Sequence, residues 1–189
     1  KGARLPQTSA DQPQTVAVKA ISRTSGKLTP KVLQNLDLEI SILRTYRHSN
    51  IVCMHNVIKT DRHFYLLLEY CAGGDVQGLI RSRKAGRLSE GLTRRLIRDL
   101  AQGLKFLRGQ ELIHRDLKTQ NLLLTGPLPK EEVDDPPVDN LPLPDTVGTA
   151  FHLKIADFGF ARHLQSASMA ETLCGSPIYM APEILQHQR

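Results

Sequence analysis

His114-Arg115-Asp116-Leu117-Lys118-Thr119-Gln120-Asn121, followed after a long interval by Asp157-Phe158-Gly159, gathers an aspartate, a lysine and an asparagine into one short loop and adds a second aspartate beside a glycine. Transfer of a phosphoryl group asks for such a set: a carboxylate to take the hydroxyl proton, a cation to steady the charge, and oxygen ligands for magnesium. Asp116 is the candidate base, Lys118 the candidate cation, and Asn121 and Asp157 the candidate metal ligands. The plainer alternative for each is a structural hydrogen bonder. For His114 that alternative is preferred, because its ring suits bracing the loop better than acid–base work.

Just beyond this stretch, Leu122-Leu123-Leu124 and Leu153-Lys154-Ile155 read as the two strands of a short hairpin that joins the halves of the magnesium site. Between them, residues 126–150 hold six of the eleven prolines and six acidic residues (Glu131, Glu132, Asp134, Asp135, Asp139, Asp145) against Lys130 alone. Such a composition buries too little apolar surface to offset its ordering entropy, so a solvated spacer is expected ahead of a docking site for a basic partner. Loop-closure entropy grows only logarithmically with length, so the fold tolerates the insertion.

Toward the N-terminus, residues 15–21 read as a strand carrying Lys19. Thr29-Pro30 supplies a helix cap followed by proline at the first helical position. In that helix Val32, Leu36, Glu39 and Leu43 share a face, which points Glu39 inward. A carboxylate there needs a partner, and Lys19 can supply it; an edge-of-stripe surface glutamate is the alternative. Ile51–Val57 and Phe64–Tyr70 read as two strands around the Lys59-Thr60-Asp61-Arg62 turn, after which Cys71-Ala72-Gly73-Gly74-Asp75 breaks regularity. Ser89 caps a helix whose Leu92, Leu96, Leu100, Leu104 and Leu107 form a core stripe.

The chain has 189 residues, a length prior for one domain, and a formal net charge of +6. Its basic residues are dispersed along helix faces (Arg81-Ser82-Arg83-Lys84, Arg94-Arg95) rather than clustered with aromatics, which argues against a nucleic-acid partner. Cys53, Cys71 and Cys174 are odd in number and lack metal-ligand spacing, so neither a disulfide framework nor a zinc site is expected, and a reducing, cytoplasmic setting is. No apolar run is long enough to span a bilayer and no signal peptide is evident.

The catalytic string resembles that of eukaryotic protein kinases, and further motifs follow in that family's order: Val16-Ala17-Val18-Lys19, Glu39 in its helix, Asp157-Phe158-Gly159, and Ala181-Pro182-Glu183. Lys118 and Gly175-Ser176-Pro177-Ile178-Tyr179-Met180 resemble the serine/threonine branch. Ala156-Asp157-Phe158-Gly159-Phe160-Ala161-Arg162 and Glu171-Thr172-Leu173-Cys174-Gly175 are similar to the autophagy-initiating ULK/ATG kinases, as is Lys118-Thr119-Gln120-Asn121, where many other kinases carry proline at the position of Thr119. The resemblance implies an α+β, bilobal kinase fold truncated at both ends: residues 1–70 as a small β lobe without its glycine-rich loop, 71–75 as hinge, and 76–189 as part of a helical lobe.

It further implies ATP and Mg2+ as cofactors, with Lys19 on the α and β phosphates and paired to Glu39, and Leu68 limiting access behind the adenine. Glu69 and Cys71 would offer backbone hydrogen bonds to that base. Thr172 would be the regulatory phosphosite, with Arg115 and Arg162 as phosphate partners. Implied partners are proteins bearing Ser/Thr acceptors and autophagy-complex regulatory subunits. Peripheral association with the autophagosome-precursor membrane stays open. The competing readings are an inactive truncated kinase or pseudokinase acting as a binding module and, last, a basic nucleic-acid binder.

Overall fold

The computed structural model describes residues 15–24, 29–127, 151–163 and 175–186. Strand β1 (Val16–Ser22) is followed by helix α1 (Pro30–Thr45) and by strands β2 (Met54–Lys59) and β3 (His63–Glu69). The three strands form one antiparallel sheet in the order β1-β3-β2, with Val18 opposite Leu67 and Lys19 opposite Leu66. Leu66 is completely buried in the centre of this sheet. As expected, the Thr29 hydroxyl caps α1 by accepting from the Val32 N–H, with Pro30 in the first turn.

Leu36, Glu39 and Leu43 lie buried along one face of α1, whereas Val32 in the first turn is exposed, so the inward stripe begins one turn later than the spacing suggested. The strand expected from Ile51 begins only at Met54. Residues 50–53 direct their backbone groups elsewhere: Ile155 N–H donates to the Asn50 carbonyl, Val52 N–H to the Ile155 carbonyl, and Glu69 N–H to the Cys53 carbonyl. These bonds draw the segment toward Ile155 and the end of β3 before regular pairing starts.

Past the sheet come α2 (Val76–Ser82), capped by Asp75, and α3 (Glu90–Gly109), capped by Ser89 as expected. Leu92, Leu96 and Leu107 of α3 are buried, and Leu100 and Leu104 are partly so. The remaining elements are β4 (Leu112–Ile113), a 3-10 turn at Thr119–Asn121, β5 (Leu122–Leu124), β6 (Leu153–Ile155), β7 (Arg162–His163), a second 3-10 turn at Pro177–Tyr179, and α4 (Pro182–Leu185).

β5 and β6 form the expected hairpin, with Leu122 opposite Ile155 and Leu124 opposite Leu153; β4 pairs with β7. One apolar core runs from α1 and the sheet (Leu36, Leu43, Met54, Leu66) through Leu107 and Leu112 to Ile155 and Phe158; a second joins Val76, Leu92 and Leu96 to Leu124, Phe151 and Leu153. Each such side chain contributes about 1.5–3 kcal/mol on burial. The two cores meet at Leu100 and Leu122, so the sheet and the helical part pack as one body around the 114–121 loop.

Gly73 is required where the chain crosses from β3 to α2. Its N–H donates to the Leu124 carbonyl at 2.9 Å, and a side chain there would place its Cβ 2.1 Å from the Gly126 carbonyl oxygen.

Candidate active site

The 114–121 loop is held from beneath by His114, which is buried. Its Nδ1 accepts from the Asp116 N–H at 3.3 Å, so Nε2 carries the proton and donates to the Ala156 carbonyl at 3.0 Å. Its ring meets Phe158 edge-on at 4.9 Å. This is the bracing part that the sequence suggested, and it ties the loop to the start of Asp157-Phe158-Gly159. Two residues of the site take left-handed backbone without being glycine: Arg115 at φ 66° and Asp157 at φ 63°. Arg115 is fastened there by donating from Nε to the Phe160 carbonyl at 2.7 Å.

Asp116 is buried, and the side chains around it stabilise its charge. Lys118 Nζ lies 2.9 Å from Oδ2, and the Ser176 hydroxyl donates to Oδ1 at 2.9 Å. Asn121 Nδ2 donates to the Asp116 carbonyl at 2.8 Å and to Oδ2 at 3.1 Å. Burial alone would raise the pKa, but Lys118, Ser176 and Asn121 together outweigh it and hold the carboxyl below the usual aspartate range. A charged carboxylate that accepts from a serine hydroxyl, with an ammonium beside both, has the bonding that a general base needs toward an alcohol.

Ser176 was not singled out from the sequence as a site residue. Its hydroxyl also accepts from Lys118 Nζ at 2.9 Å, across 58 residues of chain, and nothing local marks it. Gly175 brings it there: with φ 103° it passes so close to the 114–121 loop that a Cβ would stand 2.4 Å from the Arg115 carbonyl oxygen.

Lys19 meets Glu39 as expected, Nζ to Oε1 at 2.7 Å, and also reaches Asp157 Oδ1 at 3.1 Å. Burial lowers the Lys19 pKa, but Glu39 and then Asp157 more than offset that and leave it above the ordinary lysine value. The β1 lysine, the α1 glutamate and the aspartate after β6 therefore converge on one point. Asn121 joins the same region through Asp116, and its amide oxygen, unlike its nitrogen, makes no bond among the described residues.

At the expected hinge, the Cys71 N–H has no acceptor among the described residues, while its carbonyl accepts from Gly74 N–H at 3.2 Å. At Glu69 the backbone N–H donates to the Cys53 carbonyl at 2.8 Å, so a backbone bond from this residue to a ligand would use its carbonyl. The Arg162 guanidinium bonds the Asn35 side chain of α1 and the Ala161 carbonyl. Thr172 and Cys174 lie outside the described residues, as does 128–150.

A comparison with protein families matches residues 5–189 to the protein kinase domain. The chain belongs to the protein kinase family. Among curated proteins this kinase domain is 43% identical over 198 residues to the serine/threonine-protein kinase atg1 of Schizosaccharomyces pombe, covering 93% of this chain and 23% of that protein. It is 41% identical over 208 residues to ATG1 of Candida glabrata, covering 95% and 21%, and 43% identical over 197 residues to ATG1 of Pichia angusta, covering 92% and 24%. The kinase domain thus spans less than a quarter of the length of these relatives. Among its described residues no helix is long and apolar enough to cross a membrane.

Proposed function

We propose that this kinase domain transfers the γ-phosphate of ATP to serine and threonine hydroxyls, as the catalytic part of a protein kinase of the autophagy-initiating type. The observation that carries the chemistry is the Asp116–Ser176–Lys118 arrangement: a serine hydroxyl already sits 2.9 Å from Asp116 Oδ1, with the ammonium 2.9 Å from the same oxygen atom of the serine. An acceptor alcohol replacing it would give its proton to Asp116 while Lys118 steadies the developing charge.

Lys19, held by Glu39, would bind the α and β phosphates. Asn121 and Asp157 would hold Mg2+, for which an amide oxygen and a carboxylate are suitable hard donors. Among the described residues no group of three or more His, Cys, Asp or Glu side chains could hold a metal ion. Magnesium needs none, since it binds through one or two protein oxygens plus substrate phosphates. When bound, it neutralises charge on the phosphate oxygens. The adenine would lie against the backbone of residues 69–71, with the Cys71 N–H as donor and Leu68 behind it.

The serine/threonine branch and the autophagy setting are supported by the likeness to the atg1 proteins. With them come protein substrates, regulatory subunits of an autophagy complex, and a cytoplasmic location with peripheral membrane recruitment. Phosphorylation of Thr172 would recruit Arg115 and Arg162, and Arg162 would first have to leave Asn35 of α1.

The test is phosphate transfer from γ-labelled ATP with Mg2+ to serine, threonine and tyrosine peptides, comparing the full-length protein with its Asp116→Asn variant. Transfer to serine and threonine alone, reduced roughly a hundredfold or more by Asp116→Asn, is expected. Equal transfer by both proteins would sink the assignment of the base, and ATP binding without turnover by the parent would point to a pseudokinase. Thr172→Ala in the same assay reads the regulatory part, and unchanged activity would remove it.

A further inference from the structure

The Glu69 side chain, on which the chemistry above places no demand, is among the most constrained near the hinge. Its Oε2 accepts from the Cys53 N–H at 3.0 Å and lies 2.9 Å from Lys154 Nζ. Since the Glu69 N–H donates to the Cys53 carbonyl, both backbone groups of Cys53 are engaged by this one residue. The pair is well shielded, with side-chain exposures of 12% for Lys154 and 24% for Glu69. Removing one partner from such a pair strands the other charge.

Lys154 stands in the middle of β6, three residues before Asp157, while Glu69 is the last residue of β3, two residues before the expected hinge. The segment that Glu69 holds at Cys53 is itself bonded to β6, by Ile155 N–H to the Asn50 carbonyl at 2.9 Å and Val52 N–H to the Ile155 carbonyl at 3.0 Å. The Cys71 thiol senses both charges: burial first and Glu69 second push it up to about 11, and Lys154 works against them.

We infer that Lys154 and the Glu69 carboxylate are positioning residues that fix the distance between the adenine-contacting backbone at residues 69–71 and Asp157 at the phosphate end of the nucleotide. The inference rests on the ATP reading proposed above. Neither side chain need touch the nucleotide. Together they set the spacing that a ligand must match to occupy both ends at once, and small errors in such placement are costly.

A ligand spanning both ends should feel loss of the pair, and one occupying only the adenine end should not. Binding of ATP·Mg2+ and of adenosine is measured by calorimetry on the full-length protein and on Lys154→Met, Lys154→Arg and Glu69→Gln. Lys154→Met should weaken ATP·Mg2+ about tenfold, leave adenosine unchanged, and be largely rescued in Lys154→Arg. Glu69→Gln, which keeps an acceptor for the Cys53 N–H, should show the same split and serves if Lys154→Met does not fold. Equal weakening of both ligands would mean local damage to the hinge and overturn the inference, as would no change in either. A parent protein that binds neither ligand would sink the nucleotide reading itself and the inference with it.

Discussion

His114 shows how a side chain that performs no chemistry makes the site sensitive to acid. It is buried, it spends Nδ1 as an acceptor and Nε2 as a donor, and burial holds its pKa below the ordinary histidine value against the opposing pull of the Ala156 carbonyl and Asp157. The unfolded chain takes up this proton near pH 6.5, whereas the folded chain resists until lower pH. In that window the unfolded state binds more protons, so stability falls as the pH drops below about 6.5. Urea midpoints measured between pH 7 and 5 should fall less steeply for His114→Gln than for the parent, and parallel slopes would refute the assignment. At this scale Asp116, Lys118, Asn121, Asp157, Lys19 and Glu39 were all legible, because local spacing and the residue types themselves announce a charged site. Ser176 and the Lys154–Glu69 pair were not, since each is made by contacts between segments far apart in sequence, with no trace in either segment alone.

The hairpin of β5 and β6 and helix α3 carry the element-scale argument. Arg95 and Asp99 sit one turn apart on α3 and grip the chain as it re-enters the fold. Arg95 donates to the Phe151 carbonyl at 3.1 Å with its guanidinium 4.0 Å from the centre of the Phe151 ring, and Asp99 Oδ2 accepts from the Leu153 N–H at 2.8 Å. Leu153 is almost wholly buried, so its N–H has no water to turn to. Asp99→Ala should therefore cost about 1–3 kcal/mol in chemical denaturation, with Asp99→Asn recovering most of it; a neutral alanine variant would show that the bond carries no weight. Periodicity revealed α1, α3 and the hairpin, and chemistry at Thr29 and Ser89 revealed where the helices begin. It could not reveal that residues 51–53 belong to β6 and Glu69 rather than to β2, or that β4 and β7 pair, because two-residue strands have no period to detect.

For the whole molecule, the question is what residues 128–150 do to the body they interrupt. The described chain closes the hairpin beneath them with two bonds, Thr125 N–H to the His152 carbonyl at 3.0 Å and His152 N–H to the Thr125 hydroxyl at 2.8 Å. If the acidic stretch is a spacer, replacing it by a short Gly/Ser linker shortens the loop about threefold and stabilises the fold by only ~1 kcal/mol. Denaturation of the full-length protein should show that small gain with phosphate transfer unchanged. A large loss of either would mean that the stretch acts on the folded body. The composition made the interruption visible in the sequence, and its closure by Thr125 and His152 became visible only in three dimensions.

The same closure makes this kinase domain divisible. Asn121 precedes the interruption and Asp157 follows it, yet β6 is bound into the larger piece through Asn50, Val52, Asp99 and Leu122–Leu124. A chain cut between 128 and 150 would place the two proposed magnesium ligands on separate polypeptides, each inert without the other. Fusing the pieces to two proteins of interest would then turn their encounter into phosphate transfer, a reporter of proximity built on a break the sequence already contains.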